Sequence, residues 1–437
     1  MKKFGVLCAI FLALGAFVYF YEIAGKSERE ETKSLEESLL RMKREEITGL
    51  EILRPEAEGI ILSKEAQQWV IVHPVETFAD GSTVDVLLRD LSQATRDRSF
   101  PEGGTRAEQY GLHEPRMTLK VQAGGEEKTL LIGNDDFTGS QIYAQFQGDS
   151  EVLLTSGVLF TTANKDLMQW RSKKVLVFDR EELQAIEIVH SADTIRLTRQ
   201  EEEWHLEAPI QERADQNSVS SLLSAVEFAQ AQEFVSDDPE ELQSYGLDQP
   251  RVTMRIRHQD QDDWRILEFG QQKEEYYLAR NPDRLSVFTV YPEVFEKVNQ
   301  DFWAYRDKEV MDVAQDQIAR VVIRREEGEE IALRYEDYQW IVEAPESQKD
   351  KEVLSYKFWY PINDIRFTSI EDEESPSLSF PEPDVQLTVT LTDGSQRTFD
   401  FASQDDRYLA RKVDSGRQGT ISQEDFEKLH FKIEDLF

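Results

Sequence analysis

Six histidines and one cysteine are the side chains of this sequence that transition metals bind most readily, and their spacing decides whether a metal centre can form. They are Cys8, His73, His113, His190, His205, His258 and His430. No two histidines have the four-residue spacing that places both imidazoles on one helix face. One cysteine forms neither an intrachain disulfide nor a cysteine-based zinc site. We therefore predict no metal site, no cofactor and, without a Gly-x-Ser-x-Gly motif, no assigned catalytic residue.

Carboxylates are abundant, and two acidic runs are dense enough to consider calcium binding. Asp260, Asp262 and Asp263 resemble the start of a calcium loop, but the glycine and the closing glutamate are missing. Residues 371–374 are all acidic and precede Ser375-Pro376. We predict solvated loops at both places, with weak binding of a divalent cation as the alternative. A carboxylate-dependent hydrolase, which needs two acidic groups about 5–9 Å apart, also stays open.

Three tryptophans recur in similar surroundings. Trp69 begins the stretch Trp-Val-Ile-Val-His-Pro, Trp204 begins Trp-His-Leu-Glu-Ala-Pro and Trp340 begins Trp-Ile-Val-Glu-Ala-Pro. The alternation around each indole is typical of a strand, so we predict packing beneath a helix. The functional alternative is a platform on which sugar rings stack, which makes these residues the candidate stacking residues.

Two cationic segments follow large aromatic residues. Their members are Trp170, Arg171 and Lys173 in one segment, and Tyr305, Arg306 and Lys308 in the other. We call residues 170–173 the first junction and residues 305–308 the second junction. An arginine in so acidic a chain is expected to bind a neighbouring carboxylate and set the angle between successive units. The alternative is that these cations capture a carboxylate or phosphate ligand.

A third aromatic cluster, Phe358-Trp359-Tyr360, lies beside Pro361. We expect it to pack in a core, and an exposed cluster would instead indicate a partner surface.

The composition limits the class of protein to which these residues can belong. The chain has 437 residues, with 50 Lys and Arg against 86 Asp and Glu, and a net charge of −36. Hydrophobic residues make up 39% and aromatic residues 10%, which is typical of a folded chain rather than an acidic disordered one. A chain with this net negative charge does not neutralise phosphates. We therefore predict no nucleic-acid partner.

The N-terminus reads as a membrane anchor. Lys2 and Lys3 precede an uncharged apolar run at residues 4–21, which is about 27 Å long as a helix. The lysines are expected to stay in the cytoplasm, so the remainder lies outside it. A cleaved signal peptide is the rival interpretation, but Glu22 stands where a small residue is needed. We predict a single-pass anchor at residues 1–25, a polar helical stalk at 26–46, and a periplasmic or extracellular remainder.

The rest of the chain repeats at about 135 residues. The three tryptophans are 135 and 136 residues apart, and Tyr110-Gly111-Leu112 returns as Tyr245-Gly246-Leu247. Several matches in order at one offset indicate internal repeats. We predict repeat 1 at 47–181, repeat 2 at 182–316, and a divergent terminal repeat 3 at 317–437.

Each repeat shows the same order of elements. Short alternating strands come first, and a strand from the tryptophan to a proline follows. An amphipathic helix comes next, and then a short helix ends at Tyr-Gly-Leu, where glycine suits the left-handed position. More strands and a closing helix complete the repeat. The predicted fold is α+β, with three tandem, mainly antiparallel sheet-plus-helix repeats on a transmembrane helix.

These motifs resemble a bacterial membrane-anchored repeat family known only as a domain of unknown function. The resemblance rests on the Trp-to-Pro strand, the Tyr-Gly-Leu-x-x-Pro turn and the closing aromatic-Arg-x-Lys segment, over residues 47–437. Such proteins are often encoded beside gliding-motility-type ABC transporter components, and no catalytic residue is assigned in them. The resemblance implies an extracytoplasmic scaffold or ligand-presenting component that is accessory to a transporter or envelope complex. A glycan- or peptide-binding module is the alternative.

Overall fold

The computed structural model describes residues 37–101, 103–259, 261–326, 328, 330–371 and 380–437. Within these ranges, 27 strands form three antiparallel sheets of nine strands each. The candidate anchor, residues 26–36 of the stalk, Asp260 and the acidic residues 372–374 lie outside the described residues. Among the residues that are described, no helix is both long and apolar enough to span a membrane.

The first sheet has the strand order β4-β3-β2-β1-β6-β7-β8-β9-β5. Its strands are β1 (Ile47–Arg54), β2 (Ala57–Glu65), β3 (Gln68–His73), β4 (Thr77–Phe78), β5 (Arg98–Phe100), β6 (Met117–Ala123), β7 (Glu126–Asp135), β8 (Gln141–Phe146) and β9 (Val152–Ser156).

The second sheet repeats this order as β13-β12-β11-β10-β15-β16-β17-β18-β14. Its strands are β10 (Leu183–His190), β11 (Thr194–Gln200), β12 (Glu203–Ala208), β13 (Glu212–Arg213), β14 (Phe234–Ser236), β15 (Val252–His258), β16 (Arg265–Lys273), β17 (Tyr276–Arg280) and β18 (Val287–Val290).

The third sheet has the order β22-β21-β20-β19-β24-β25-β26-β27-β23. Its strands are β19 (Ile318–Arg325), β20 (Ile331–Glu336), β21 (Gln339–Ala344), β22 (Glu352–Val353), β23 (Phe367–Ile370), β24 (Val385–Leu391), β25 (Gln396–Gln404), β26 (Arg407–Lys412) and β27 (Gln418–Ile421). One strand order in three sheets is the pattern that internal repeats produce.

Among the described residues helices are few and short, so this part of the fold is mostly β rather than the predicted α+β. The α-helices are α1 (Gly81–Gln93), α2 (Val158–Ala163), α3 (Leu167–Trp170), α4 (Gln216–Glu227), α5 (Pro292–Val298), α6 (Trp359–Asn363) and α7 (Gln423–Glu427). The helices predicted before each Tyr-Gly-Leu are 3₁₀ segments, Gly103–Tyr110 and Leu242–Tyr245. Further 3₁₀ segments are Arg44–Glu46, Phe302–Tyr305, Gln315–Gln317, Glu346–Gln348 and Ile433–Leu436.

The period-two pattern of the strands forms the cores. Strand β15 alternates buried and half-buried residues along its whole length, so one face of the sheet is apolar. Helix α1 covers the first sheet with a buried stripe at the predicted spacing of three and four residues: Val84, Leu87, Leu88 and Leu91. In repeat 3 the corresponding helix, α6, has only five residues. Pro361 lies within it and lacks the amide hydrogen that a longer helix would need.

The predicted helical stalk differs from the structure where the two overlap. Residues 38–43 are not helical, and Leu39 and Leu40 are buried in the core of the first sheet. The Leu39 amide donates to the carbonyl of Ala94 at 2.6 Å, and Lys128 Nζ donates to the carbonyl of Leu40 at 2.7 Å. The described end of the predicted stalk therefore packs in the core of the first repeat.

Packing density divides the chain into two compact units. One runs up to Ala192 and continues with Leu223–Asn299, and the other comprises Asp193–Leu222 and Gln300–Phe437. The first junction lies within the first unit and the second junction lies within the second unit.

Candidate functional site

A short helix, which an aspartate caps at its start, leads into each junction. Asp166 Oδ1 accepts a hydrogen bond from the Gln169 amide at 2.8 Å, before α3. Asp301 Oδ1 accepts one from the Ala304 amide at 3.3 Å, before the segment Phe302–Tyr305. An oxygen at this position satisfies an amide that the first helical turn leaves unpaired. The caps therefore start both closing helices just before the aromatic residue.

Buried aromatic residues attach each closing helix to the long helix of the same repeat. Trp170 and Tyr305 are fully buried. The Asp80 amide donates to the Trp170 carbonyl at 2.7 Å, and the Asp215 amide donates to the Tyr305 carbonyl at 2.8 Å. Both aspartates also accept an amide hydrogen bond at the start of the long helix. Each junction therefore connects the end of a repeat to the same point within it.

Arg171 is the most deeply buried cation of the first junction, with 2% of its surface exposed. Its Nη2 donates to Ser286 Oγ at 2.6 Å and lies 2.6 Å from Asp237 Oδ1. The guanidinium also lies over the ring of Phe234, 3.5 Å from its centroid. These partners come from repeat 2, so Arg171 joins the two repeats within the first unit.

A second arginine, Arg284, enters the first junction from the turn between β17 and β18. Only 5% of it is exposed, and its Nη1 donates to the Ser172 carbonyl at 3.3 Å. The guanidinium lies 5.1 Å from the ring centroid of Phe78. Burial, and after it the neighbouring charge of Arg171, lower the pKa of Arg284 to about 10.

Carboxylates are the main partners of the arginines in the second junction. Arg306 Nε donates to Glu212 Oε1 at 2.8 Å, and Nη2 donates to Glu212 Oε2 at 3.0 Å. Arg417 Nη1 lies 3.1 Å from the same carboxylate. Two parallel hydrogen bonds fix the direction of the guanidinium as well as its distance.

Asp307 extends this network on the other side of Arg306. Its Oδ2 accepts from Arg213 Nη1 at 3.0 Å, and its carbonyl accepts from Arg417 Nη2 at 2.5 Å. Arg213 also makes hydrogen bonds with Glu203, and these raise the pKa of Arg213 above its ordinary value. The second junction is thus a connected network of three arginines and three carboxylates.

The two candidate lysines have lesser roles. Lys308 Nζ donates to the Ala304 carbonyl at 3.2 Å and lies 5.4 Å from the ring centroid of Trp303, and burial lowers its pKa. Lys173 is half-buried, and its carbonyl accepts from the Ala231 amide at 2.8 Å. Both therefore contribute to the protein's own packing.

The three candidate stacking residues lie inside the protein. Trp69 is 7% exposed, Trp204 is 8% exposed and Trp340 is fully buried. Trp340 packs against Phe358 and Trp359, with ring centroids at 5.1 and 5.7 Å. A sugar ring needs an open aromatic face, and these indoles do not offer one. The strands that carry these three residues turn their indoles into the cores.

The aromatic cluster beside Pro361 divides between core and surface. Phe358 and Trp359 are buried, whereas Tyr360 is exposed. The cluster therefore presents one ring to solvent rather than three.

Carboxylates and histidines do not form a metal cage in the described part of the chain, where no group of three or more His, Cys, Asp or Glu residues is close enough to hold an ion. A cavity of about 890 Å³ beside β1 and β6 has Glu56 and Glu114 in its lining, together with Arg54 and Arg116. Both glutamates are exposed. A general acid of the hydrolase type needs an environment that disfavours its charge, and exposure does not supply one.

The sequence identified the central arginines but not their partners. Asp237, Ser286 and Glu212 lie between 66 and 115 residues from the central arginines that they contact. Alignment of the repeats gives one sequence signal for these partners. Glu212 in repeat 2 aligns with Thr77 in repeat 1, since each lies eight residues after the repeated tryptophan.

A comparison with protein families gives one match. The model of a domain of unknown function, DUF4340, matches residues 69–235 and residues 204–377. Together these segments include most of the chain, and the chain belongs to this family. No curated protein and no solved structure matches significantly.

Proposed function

We propose that this family member is a membrane-anchored, extracytoplasmic scaffold or ligand-presenting component that is accessory to an ABC-type transporter or envelope complex. The observation that carries the proposal is the construction of the two junctions. In the first junction Arg171 of repeat 1 binds Asp237 of repeat 2, and in the second junction Glu212 of repeat 2 binds Arg306 of its own repeat and Arg417 of repeat 3. Cations used in this way hold repeats in a fixed arrangement, which a scaffold requires.

The location and partner parts of the proposal rest on the sequence. The apolar run after Lys2 and Lys3 supports an anchor, and the cytoplasmic preference of lysines supports an outward orientation. The family resemblance supports a transporter partner. The buried state of the three tryptophans favours the scaffold over a glycan-binding module built on them.

Two measurements on the full chain test the proposal. A phosphatase reporter that is active only outside the cytoplasm, fused after Phe437, should be active, and a fluorescent reporter that matures only inside should be dark. Affinity capture from detergent-solubilised membranes, followed by mass spectrometry, should enrich ABC transporter subunits. The matched control is a tagged fragment of residues 1–46, which retains the anchor and lacks the repeats.

Each measurement has a contradicting result. A mature N-terminus near Gly25, or a reporter active only in the cytoplasm, would remove the anchor. Equal recovery of transporter subunits by the 1–46 control would show that the repeats do not present a binding surface.

A further inference from the structure

Arg284 carries hydrogen-bond donors that the protein does not use. Its Nη1 donates to the Ser172 carbonyl, but among the described residues no acceptor makes a hydrogen bond with its Nε or Nη2. A buried cation with unused donors is costly, because burial removes water without supplying a replacement. The lowered pKa of Arg284 reflects the same cost. The free edge is the Nε and Nη2 pair, which is the edge that binds a carboxylate in a bidentate manner.

Thr77, a second residue with an unpaired buried polar atom, belongs to the lining of a cavity beside Arg284. The cavity has a volume of about 400 Å³, and Arg284 and Thr77 are both in its lining. Thr77 is buried, and its Oγ1 has no hydrogen-bond partner within the described ranges. Two residues beside one cavity therefore have buried donors for which the described part of the chain provides no acceptor.

The second junction shows what is missing from the first. Glu212 is the register equivalent of Thr77, since both lie eight residues after the repeated tryptophan. The amide of the residue two positions later, Ala79 or Ala214, donates to the carbonyl of that tryptophan at 3.0 or 2.9 Å. In the second junction the Glu212 carboxylate binds Arg306 and Arg417. In the first junction a hydroxyl stands where that carboxylate would be.

The other residues that line the cavity indicate which chemical group would be attached to a bound anion. Phe78, Val70, Val72 and Leu285 supply apolar surface. Leu285 is 60% exposed, so displacing its side chain to admit a ligand costs little buried area. Glu65, Glu76 and Asp283 also line the cavity, and their charges repel a ligand that carries more than one negative charge.

We propose that the cavity formed by Thr77, Arg284 and Leu285 is a binding site for a single carboxylate that is attached to an apolar group. The carboxylate makes a bidentate contact with Arg284 and accepts from Thr77, and the apolar group packs on Phe78 and Val72. A free apolar acid and the C-terminus of a peptide share this chemistry. The proposal does not depend on the membrane location or on a transporter partner.

Calorimetric titration of the purified full chain in a non-ionic detergent tests the site with four probes. N-acetyl-leucine carries the carboxylate and a short apolar group, and N-acetyl-leucinamide is its neutral isostere. Inorganic phosphate is the multiply charged anion, and N-acetyl-Ala-Ala-Ala-Leu with a free C-terminus is the peptide. We expect the two carboxylates to bind and the amide and phosphate not to bind. Tighter binding of the tetrapeptide than of N-acetyl-leucine identifies a peptide terminus as the source, and the reverse identifies a free acid.

Three variants assign the binding to the site. Arg284→Met should weaken N-acetyl-leucine binding about tenfold or more, because a charged hydrogen-bond pair is lost. Thr77→Val, which keeps the side-chain volume, should weaken it about threefold to tenfold and leave the fold intact. Arg89→Met, at an exposed position of α1 in the same unit, is the matched control and should bind like the parent chain. Equal binding of the acid and its amide, binding of phosphate alone, no binding of any probe, or unchanged binding in Thr77→Val would each overturn the proposal.

Discussion

At the scale of single residues, the Glu212 carboxylate accepts from two arginines that approach it from different parts of the second unit. Arg306 uses both oxygens, and Arg417 shares one of them. All three side chains are largely buried. Removing one partner from such a set leaves the others with charge that water no longer compensates, so the cost exceeds that of a surface ion pair.

Arg306→Ala should therefore lower the free energy of unfolding by about 1–3 kcal/mol, a range reduced from the full cost of a buried pair because Arg417 remains. Arg306→Lys should recover only part of the loss, since an ammonium group cannot make the bidentate contact. Urea denaturation measures the stability, and hydrogen exchange near residues 300–315 should increase in both variants.

The control for this prediction is Arg320→Ala. Arg320 makes a 2.6 Å ion pair with Glu343 in the same unit, but Arg320 is exposed and Glu343 is only half-buried. Its loss should cost about 1 kcal/mol or less. An equal cost for the two alanine variants would mean that the second junction does not hold the structure together.

The partners of these arginines illustrate the limit of sequence reasoning at this scale. The aromatic-Arg-x-Lys motif identified Arg171 and Arg306, because an arginine in an acidic chain needs a carboxylate. It did not distinguish among 86 acidic residues, and the actual partner of Arg306 is 94 residues away. A contact of that separation depends on how strands are ordered in a sheet, which one repeat's pattern does not specify.

At the scale of elements, the Tyr-Gly-Leu turn has the geometry that its residues predict. Gly111 and Gly246 have φ values of 69° and 67°, in the left-handed region. The Leu247 amide donates to the Leu242 carbonyl, and the Gly246 amide donates to the Gln243 carbonyl, both at 3.0 Å. This pair of bonds is a Schellman motif, and the buried leucine completes it. The prediction succeeded because every residue it used is local.

A second glycine at this turn had no sequence signal. A Cβ on Gly270 would lie 2.2 Å from the Tyr245 carbonyl oxygen, and one on Gly133 would lie 2.1 Å from that of Tyr110. In both repeats a strand therefore passes directly against the turn. The requirement comes from a tertiary approach, so neither propensity nor periodicity reveals it.

We expect Gly270→Ala to destabilise the chain more than Gly246→Ala does. Gly270→Ala forces two backbone segments apart and should lower the free energy of unfolding by about 3 kcal/mol or more. Gly246→Ala strains a residue in the left-handed conformation and should lower it by about 1 kcal/mol. Gly81→Ala is the matched control, since nothing lies within 4 Å of its added Cβ and it begins a helix. Thermal unfolding of the three variants provides the ranking, and a neutral Gly270→Ala would contradict the close approach.

The helices were harder to predict than the strands. The amphipathic helices predicted in repeats 1 and 2 are present as α1 and α4. The corresponding helix of repeat 3 has only five residues. Leu39 and Met42 follow helical spacing and nevertheless belong to a non-helical segment that packs on the first sheet. A few apolar residues at helical spacing indicate which residues are buried, but tertiary packing determines their backbone conformation.

At the scale of the whole molecule, the charge of −36 acts on both units together. Like charges at this density repel one another, and the compact state brings them closer than the unfolded chain does. Raising NaCl from about 10 mM to about 150 mM shortens the screening length from about 30 Å to about 8 Å. We expect the unfolding temperature to rise over this range, measured by calorimetry.

Potassium chloride at the same concentrations is the control, because an effect of ionic strength does not depend on which cation is used. A fall in the unfolding temperature would show that the exposed ion pairs, which salt weakens, outweigh the net repulsion.

The strands at the ends of each sheet are its shortest. They are β4 and β5 in the first sheet, β13 and β14 in the second, and β22 and β23 in the third, each two to four residues long. A long open edge offers unpaired amides and carbonyls to which another chain can add, and this is the usual start of aggregation. Here such an edge offers only a few groups. The 27 strands of the described residues therefore leave little open edge to which a second copy of the chain could add in the manner of a fibril.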